Sequence, residues 1–217
     1  MAKTAIIAGA TGLTGGLLLD LLLKDDEYEK VIVLTRKNLY ATNPKISEII
    51  CDLTTLPQVE NEIKGDVLFC CLGTTIKKAG TQDAFKQVDY NYPVELAKVA
   101  KKNEIPEFIV ISALGAKPDS LIFYNKVKGE MERDIAALNL PAFHIIQPSL
   151  IIGERKESRM GEGIAQKLAP LYDKLLIGGL RKYKSIEAGQ IARAMLAIAK
   201  SKTKGVIRHE NDELHTY

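Results

Sequence analysis

The chain has 217 residues, 46% of them apolar and 26% charged, with a formal net charge of +3. That length suits one domain with a sizeable core. The charge is too small to argue for nucleic acid, and no apolar run approaches the roughly 20 residues of a membrane span. Three cysteines, two of them adjacent (Cys70 and Cys71), make neither a disulfide framework nor a zinc site, and the N-terminus lacks the signature of a secretory signal. The expectation is a cytoplasmic protein with free thiols and no metal.

The first element is the most informative. The apolar run Ala5–Ala8 breaks into Gly9, Gly12 and Gly15, then reopens as the leucine-rich Leu17–Leu23 of a helix expected from about Thr14 to Lys24. Strand, glycine turn and helix in that order suit a nucleotide pyrophosphate. Gly9 permits the tight turn, Gly12 lets the backbone approach the phosphates, and Gly15 lets helix and strand pack closely. Thr11, Leu13 and Thr14 then line a helix N-terminus whose free N–H groups and positive dipole end attract an anion.

A second strand, Val31–Leu34, runs into Thr35-Arg36-Lys37. A dinucleotide fold meets the adenosine ribose here: an acid about 20 residues past the glycines takes a free 2′-hydroxyl, whereas Arg accommodates a 2′-phosphate. With Arg36 and Lys37 in that place, NADP is expected over NAD. A third strand, Ile46–Ile50, leads to Asp52 and Leu53, an acid-bearing loop placed to meet adenine. The fourth, Asp66–Cys71, runs into Leu72-Gly73-Thr74, where a glycine at the end of a central strand suits close approach to a ligand. A helix is expected from about Thr81 to Lys102, with Pro93 kinking it or leaving a carbonyl unpaired near Asp89.

Glu107–Ile111 is the fifth strand, ending at Ser112; Leu121–Leu138 reads as a helix and Ala142–Ile146 as the sixth strand. Alternating strands and helices imply an α/β, Rossmann-like, doubly wound parallel sheet in a single domain. After Gln147-Pro148-Ser149 come the charged stretch Glu154–Arg159, helices expected near Gly163–Leu171 and Glu187–Lys200, and a further strand at Gly205–Arg208. Residues 148–187 read as a small lid over the carboxyl ends of the strands, where substrate sits in such sheets. His144 and the two adjacent thiols read as buried core.

Tyr124 and Lys128 lie four apart on one face of the expected helix, with Ser112 at a strand end before them. A phenol ordinarily titrates near pKa 10. A neighbouring ammonium lowers that value and fits the phenol for acid/base work, while a serine hydroxyl holds the reacting oxygen. The pattern Gly9-x-x-Gly12-x-x-Gly15, Ser112, Tyr124-x-x-x-Lys128 resembles the short-chain dehydrogenase/reductase family. It is most similar to an atypical, Tat-interacting-protein-like branch, through Phe69–Thr75, Val88–Asn91 and Gln147–Ser149 as well.

The resemblance implies Tyr124 as catalytic acid/base, Lys128 as ribose binder and partner of the phenol, Ser112 orienting the substrate oxygen, and Asn91 relaying protons. It also implies a nicotinamide contact from Leu150 or its neighbours. The expected function is hydride transfer between NADP and a carbonyl or secondary alcohol. The alternatives are an NADP-binding regulator acting through a protein partner, or an epimerase or dehydratase with a retained cofactor. A homo-oligomer is compatible with either.

Overall fold

The computed structural model describes residues 2–153, 176 and 178–217. The strands are β1 (Lys3–Ala8), β2 (Tyr28–Thr35), β3 (Ile46–Ile50), β4 (Val67–Cys70), β5 (Glu107–Ile111), β6 (Ala142–Gln147), β7 (Ile151–Ile152), β8 (Ile186–Glu187) and β9 (Gly205–Glu210). The longer helices are α1 (Leu13–Lys24), α5 (Tyr92–Lys102), α6 (Phe123–Ala136) and α7 (Ala188–Ser201). Short helices are α2 (Leu56–Val59), α3 (Ile76–Ala79), α4 (Gln82–Lys86) and α8 (Asn211–Leu214). No helix among the described residues is long and apolar enough to cross a membrane.

Seven strands form one sheet in the order β3-β2-β1-β4-β5-β6-β9, every neighbouring pair parallel. The strands are apolar on both faces because both faces are covered. Ile6, Ile32, Leu68, Phe108 and Phe143 pack one way, onto Leu96 and Ala97 of α5 and Met131 and Ile135 of α6. Their neighbours Ile7, Val33, Phe69 and Ile109 pack the other way, onto Leu18 and Leu22 of α1 and Ile191, Met195 and Ile198 of α7. Strand order reverses between β1 and β4, so a crevice opens there, at the carboxyl ends. Both the glycine turn after β1 and the Leu72-Gly73 exit of β4 stand at that crevice.

The expected Thr81–Lys102 helix is not regular. After α4, residues Gln87–Asn91 form a π turn, in which the Tyr92 N–H bonds back to the Gln87 carbonyl, and α5 begins only there. Pro93 falls in the first turn of α5, where a missing N–H costs little. The wider turn, rather than a kink, accommodates it.

Of the expected lid, the described parts are β7 paired in parallel with β8 and a 3₁₀ turn at Gly178–Tyr183. Glu154–Arg159 and the helix expected near Gly163–Leu171 lie outside the described residues. The last expected strand is β9, which closes the sheet beside β6.

Candidate functional site

The glycine turn is built backbone against backbone. Gly9 has φ +91°, and a Cβ there would stand 2.7 Å from the Cys71 carbonyl oxygen just past β4. A Cβ on Gly15 would overlap the Gly9 carbonyl outright. The Gly12 N–H donates to the Gly9 oxygen at 2.9 Å. Gly12 then caps α1 with no side-chain hydrogen bond, and the first turn, Leu13 and Thr14 included, carries no acid. An uncapped helix N-terminus behind a turn that no side chain can enter fits a dinucleotide pyrophosphate.

Arg36 and Lys37 are exposed directly after β2, whose Leu34 pairs with Ala8. The backbone that carries them therefore leaves the sheet beside the glycine turn. Asp52, expected near adenine, is also engaged by its own turn. Its Oδ1 accepts the Thr54 and Thr55 amides at 2.8 and 3.0 Å and both threonine hydroxyls at 2.6 and 3.2 Å. Those bonds, the Thr54 hydroxyl first, hold the carboxyl at about 2. Asp52 folds its own turn with that oxygen, and Leu53 lies within the same turn.

The Tyr124 side of the crevice shows how four elements fix one phenol. The Tyr124 ring packs on the buried Phe85 of α4, centroids 5.6 Å apart. The π turn that follows brings Asp89, 1% exposed, onto Lys128, 2% exposed, with Oδ1 to Nζ at 2.8 Å. Lys128 also donates to the Ile111 carbonyl at 3.2 Å, next to Ser112. Asp89 Oδ2 accepts the Thr74 amide at 2.9 Å, tying down the Gly73-Thr74 exit of β4. The loop leaving Ser112 folds back onto α6 at Gly129, where a Cβ would overlap the Lys117 backbone. Tyr124 and Ser112 thereby line one cleft, of about 1240 Å³.

The electrostatics differ from the sequence expectation. Burial raises the Tyr124 phenol above its ordinary value; Lys128 pulls it down, and Asp89 pushes it back up. Lys128 pulls harder than Asp89 pushes, but burial outweighs that pull, so the phenol stands above its ordinary value on balance. Burial opposes the Lys128 charge itself, but the facing Asp89 carboxylate outweighs it and holds the amine above its usual value. The ammonium is thus held by an ion pair with Asp89 and by one hydrogen bond to the Ile111 carbonyl.

Ser112 also departs from expectation. Its Oγ donates to Glu132 Oε1 at 2.5 Å, and the same oxygen accepts Gln147 Nε2 at 2.8 Å. Glu132 Oε2 accepts Arg208 Nε at 3.1 Å. With its proton on Glu132, Ser112 faces the cleft as an acceptor. Asp89, Glu132 and Arg208 are the residues that sequence reasoning missed. Glu132 carried a readable signal: it follows Tyr124 and Lys128 at the same four-residue step, on the same helix face.

Asn91 ends the π turn, half-buried, and Leu150 is 51% exposed beyond β6. Cys70 lies on buried β4, and burial pushes its thiol up to about 12 and that of Cys71 higher still. Such thiols are inert. His144 is fully buried, as expected, and is bonded to His209, Nδ1 to Nε2 at 3.0 Å.

The chain is similar to known proteins along most of its length. A family described as NAD(P)H-binding matches residues 9–170. The chain is 32% identical over 200 residues to the protein "FMP52, mitochondrial" of Debaryomyces hansenii, covering 90% of this chain and 87% of that protein. It is 34% identical over 169 residues to protein HTATIP2 of Rattus norvegicus, covering 76% and 69%. Among solved structures it is similar in fold to MoeE5 in complex with UDP-glucuronic acid and NAD, with a TM-score of 0.73 at 16% identity over 96% of this chain and 76% of that one. A UDP-N-acetylglucosamine 4-epimerase from Methanobrevibacter ruminantium aligns with a TM-score of 0.72 at 18% identity, covering 96% and 76%. The chain belongs to the NAD(P)H-binding, atypical short-chain dehydrogenase/reductase family.

Proposed function

We propose that the protein is an NADP-dependent oxidoreductase acting on a carbonyl compound or the corresponding secondary alcohol. The observation that carries the reading is the convergence of Tyr124 and Ser112 on one cleft at the carboxyl ends of the strands, where the glycine turn also stands. Gly9, Gly12 and the α1 amides would hold the pyrophosphate, and Arg36 and Lys37 the 2′-phosphate that separates NADP from NAD. When present, the nicotinamide supplies or accepts the hydride. Tyr124, raised above its ordinary value, keeps its proton at neutral pH and delivers it to the carbonyl oxygen. The nearby Lys128 charge then stabilises the phenolate left behind. Ser112 accepts a hydrogen bond from the alcohol hydroxyl and so positions it. Of the 148–187 region, Leu150, Ile151, Lys182 and Tyr183 line the substrate side of the cleft. Free buried thiols suit a cytosolic setting, and the mitochondrial naming of several relatives supplies the other compartment to test.

Calorimetric titration with NADPH and with NADH tests the cofactor half. Selective, tight NADPH binding is expected; binding of neither to protein free of retained nucleotide would overturn the reading and favour action through a protein partner. Tyr124→Phe tests the chemical half. It should lose at least 100-fold in carbonyl-dependent NADPH oxidation while binding NADPH within about twofold of the parent. Surviving turnover would remove Tyr124 from the proton-transfer role.

A further inference from the structure

Glu132 is an unusual group to find under a substrate cleft: a carboxylate on α6, 2% exposed, with each oxygen engaged. One oxygen holds Ser112 and Gln147, and the other holds Arg208. The Arg208 side chain remains 51% exposed and lines the same cleft as Ser112 and Tyr124. A guanidinium has five N–H donors in a rigid plane. Glu132 takes the Nε donor, which leaves the paired terminal nitrogens as a fork of the shape a carboxylate fits. Because a buried acid pins the head, little side-chain freedom remains to be lost on binding. Lys117 and Lys182 line the same cleft, against Glu210 as the further acid among its described residues. A cation excess therefore persists after Glu132 has offset Arg208.

We propose that Arg208 is the carboxylate-binding residue of the cleft, and that the compound taken there is an oxo acid or its hydroxy acid. The inference rests on the oxidoreductase reading and narrows its substrate class. Ser112 and Arg208 hang from the two oxygens of a single carboxylate. The hydroxyl that donates to Ser112 and the anion held at Arg208 must therefore sit close together in the ligand, as in a 2-hydroxy or 3-hydroxy acid, the reduced form of a 2-oxo or 3-oxo acid. Arg133, which also borders the cleft, is held by Asp134 at 2.7 Å and is not needed for this role.

The test reads binding, not turnover. The full chain with NADP added is titrated with 2-oxobutanoate, 3-oxobutanoate and neutral 2-butanone, followed by saturation-transfer NMR. Saturable binding of an oxo acid is expected, weakened at least tenfold in Arg208→Gln. Because removing Arg208 leaves a buried acid short of a partner, the double variant Glu132→Gln/Arg208→Gln serves as the folded control and should show the same loss. Glu132→Gln alone keeps the cation but loosens its anchor, and should weaken oxo-acid binding by less than Arg208→Gln does. Oxo acids binding no better than 2-butanone, or equally well to the double variant, would overturn the proposal. Oxo-acid binding without any NADPH consumption would leave it standing and remove the oxidoreductase reading instead. NADPH consumption with 2-butanone but no oxo-acid binding would do the reverse.

Discussion

Arg36 and the Asp89–Lys128 pair represent two different kinds of charged residue. Arg36 is exposed and has no structural task of its own in the strand end, so its charge is available to a ligand. Arg36→Asp should turn NADPH selectivity toward NADH, because a carboxylate repels a 2′-phosphate and accepts a 2′-hydroxyl; competitive titration of both nucleotides checks it, and an unchanged ratio refutes it. Asp89 and Lys128 are both buried, and either one alone is an uncompensated charge in the interior. Asp89→Leu and Lys128→Met should each cost about 3–5 kcal/mol. The double variant should cost less than the sum by 1 kcal/mol or more. A urea-denaturation cycle measures this, and additive losses would show that the pair is not coupled. The residue scale is also where the sequence was least legible. The spacing of Tyr124 and Lys128 was visible along one helix. The partners that set their charge were not, since Asp89 is brought to Lys128 by tertiary packing across 39 positions of sequence. Ser112 was legible as a strand-end hydroxyl that orients the substrate oxygen, but nothing local in the sequence reveals that Glu132 takes its proton.

Elements were legible where one physical cause decided them. Ile46–Ile50 and Glu107–Ile111 were legible with the observed boundaries, because isoleucines in the one and Phe108–Ile111 in the other make short β-branched and aromatic clusters bounded by polar residues. β9 was legible for the same reason, although only Ile207 and His209 along it escape full exposure. The Thr81–Lys102 segment was read as one helix because its apolar spacing is helical throughout. The π turn shifts the helix phase by one residue, which apolar spacing alone does not reveal; facing it are Lys128 for Asp89 and Asp134 for Tyr90, whose hydroxyl donates to Asp134 at 2.6 Å. The fit of α1 to β1 gives the prediction at this scale. A methyl group at position 15 must displace the Gly9 backbone, since the Gly15 Cβ site is occupied by that carbonyl. Gly15→Ala should therefore lower stability by at least about 1–3 kcal/mol and weaken NADPH more than tenfold. Unaltered melting and binding would mean that helix and turn have slack.

At the scale of the molecule, a line of titratable side chains crosses the far edge of the sheet. Glu107 begins β5, His144 lies on β6, His209 on β9 and Glu213 on α8. His144 Nε2 stands 3.5 Å from Glu107 Oε1, and His209 Nδ1 is 2.7 Å from Glu213 Oε1. Burial raises Glu107 to about 7, with Lys3 pulling it down. Burial and then His209 lower His144 to about 4, with the Thr203 backbone and Glu213 pulling it up. The two departures have opposite consequences. A folded imidazole held below its unfolded value contributes stability that is full above about pH 6.5 and is lost as pH falls toward 4. A folded carboxyl held above its unfolded value contributes stability that is full below about pH 4.5 and is lost as pH rises through 7. Across pH 4.5–6.5 they cancel, and stability is expected to be flat. Glu107→Gln removes one arm, so its stability should climb by roughly 2–3 kcal/mol from pH 4.5 to 6.5. Urea melts at intervals of one pH unit read the slope directly, and a flat variant would show that His144 does not titrate as its burial requires.

The π turn has a bearing on how this chain is matched to its relatives. Successive residues of an α-helix are set about 100° apart, so one residue too many in a single turn leaves the two halves of the helix out of phase by that angle. Counting forward from α4 and counting back from α5 assign the same structural place to different residues between Gln87 and Asn91. A relative with an unbroken helix therefore aligns correctly only with a one-residue gap inside that span. Without the gap, a functional label slips to a side chain facing another direction. Asn91 inherited its expected role from such a positional match, while the side chain that meets Lys128 belongs to Asp89.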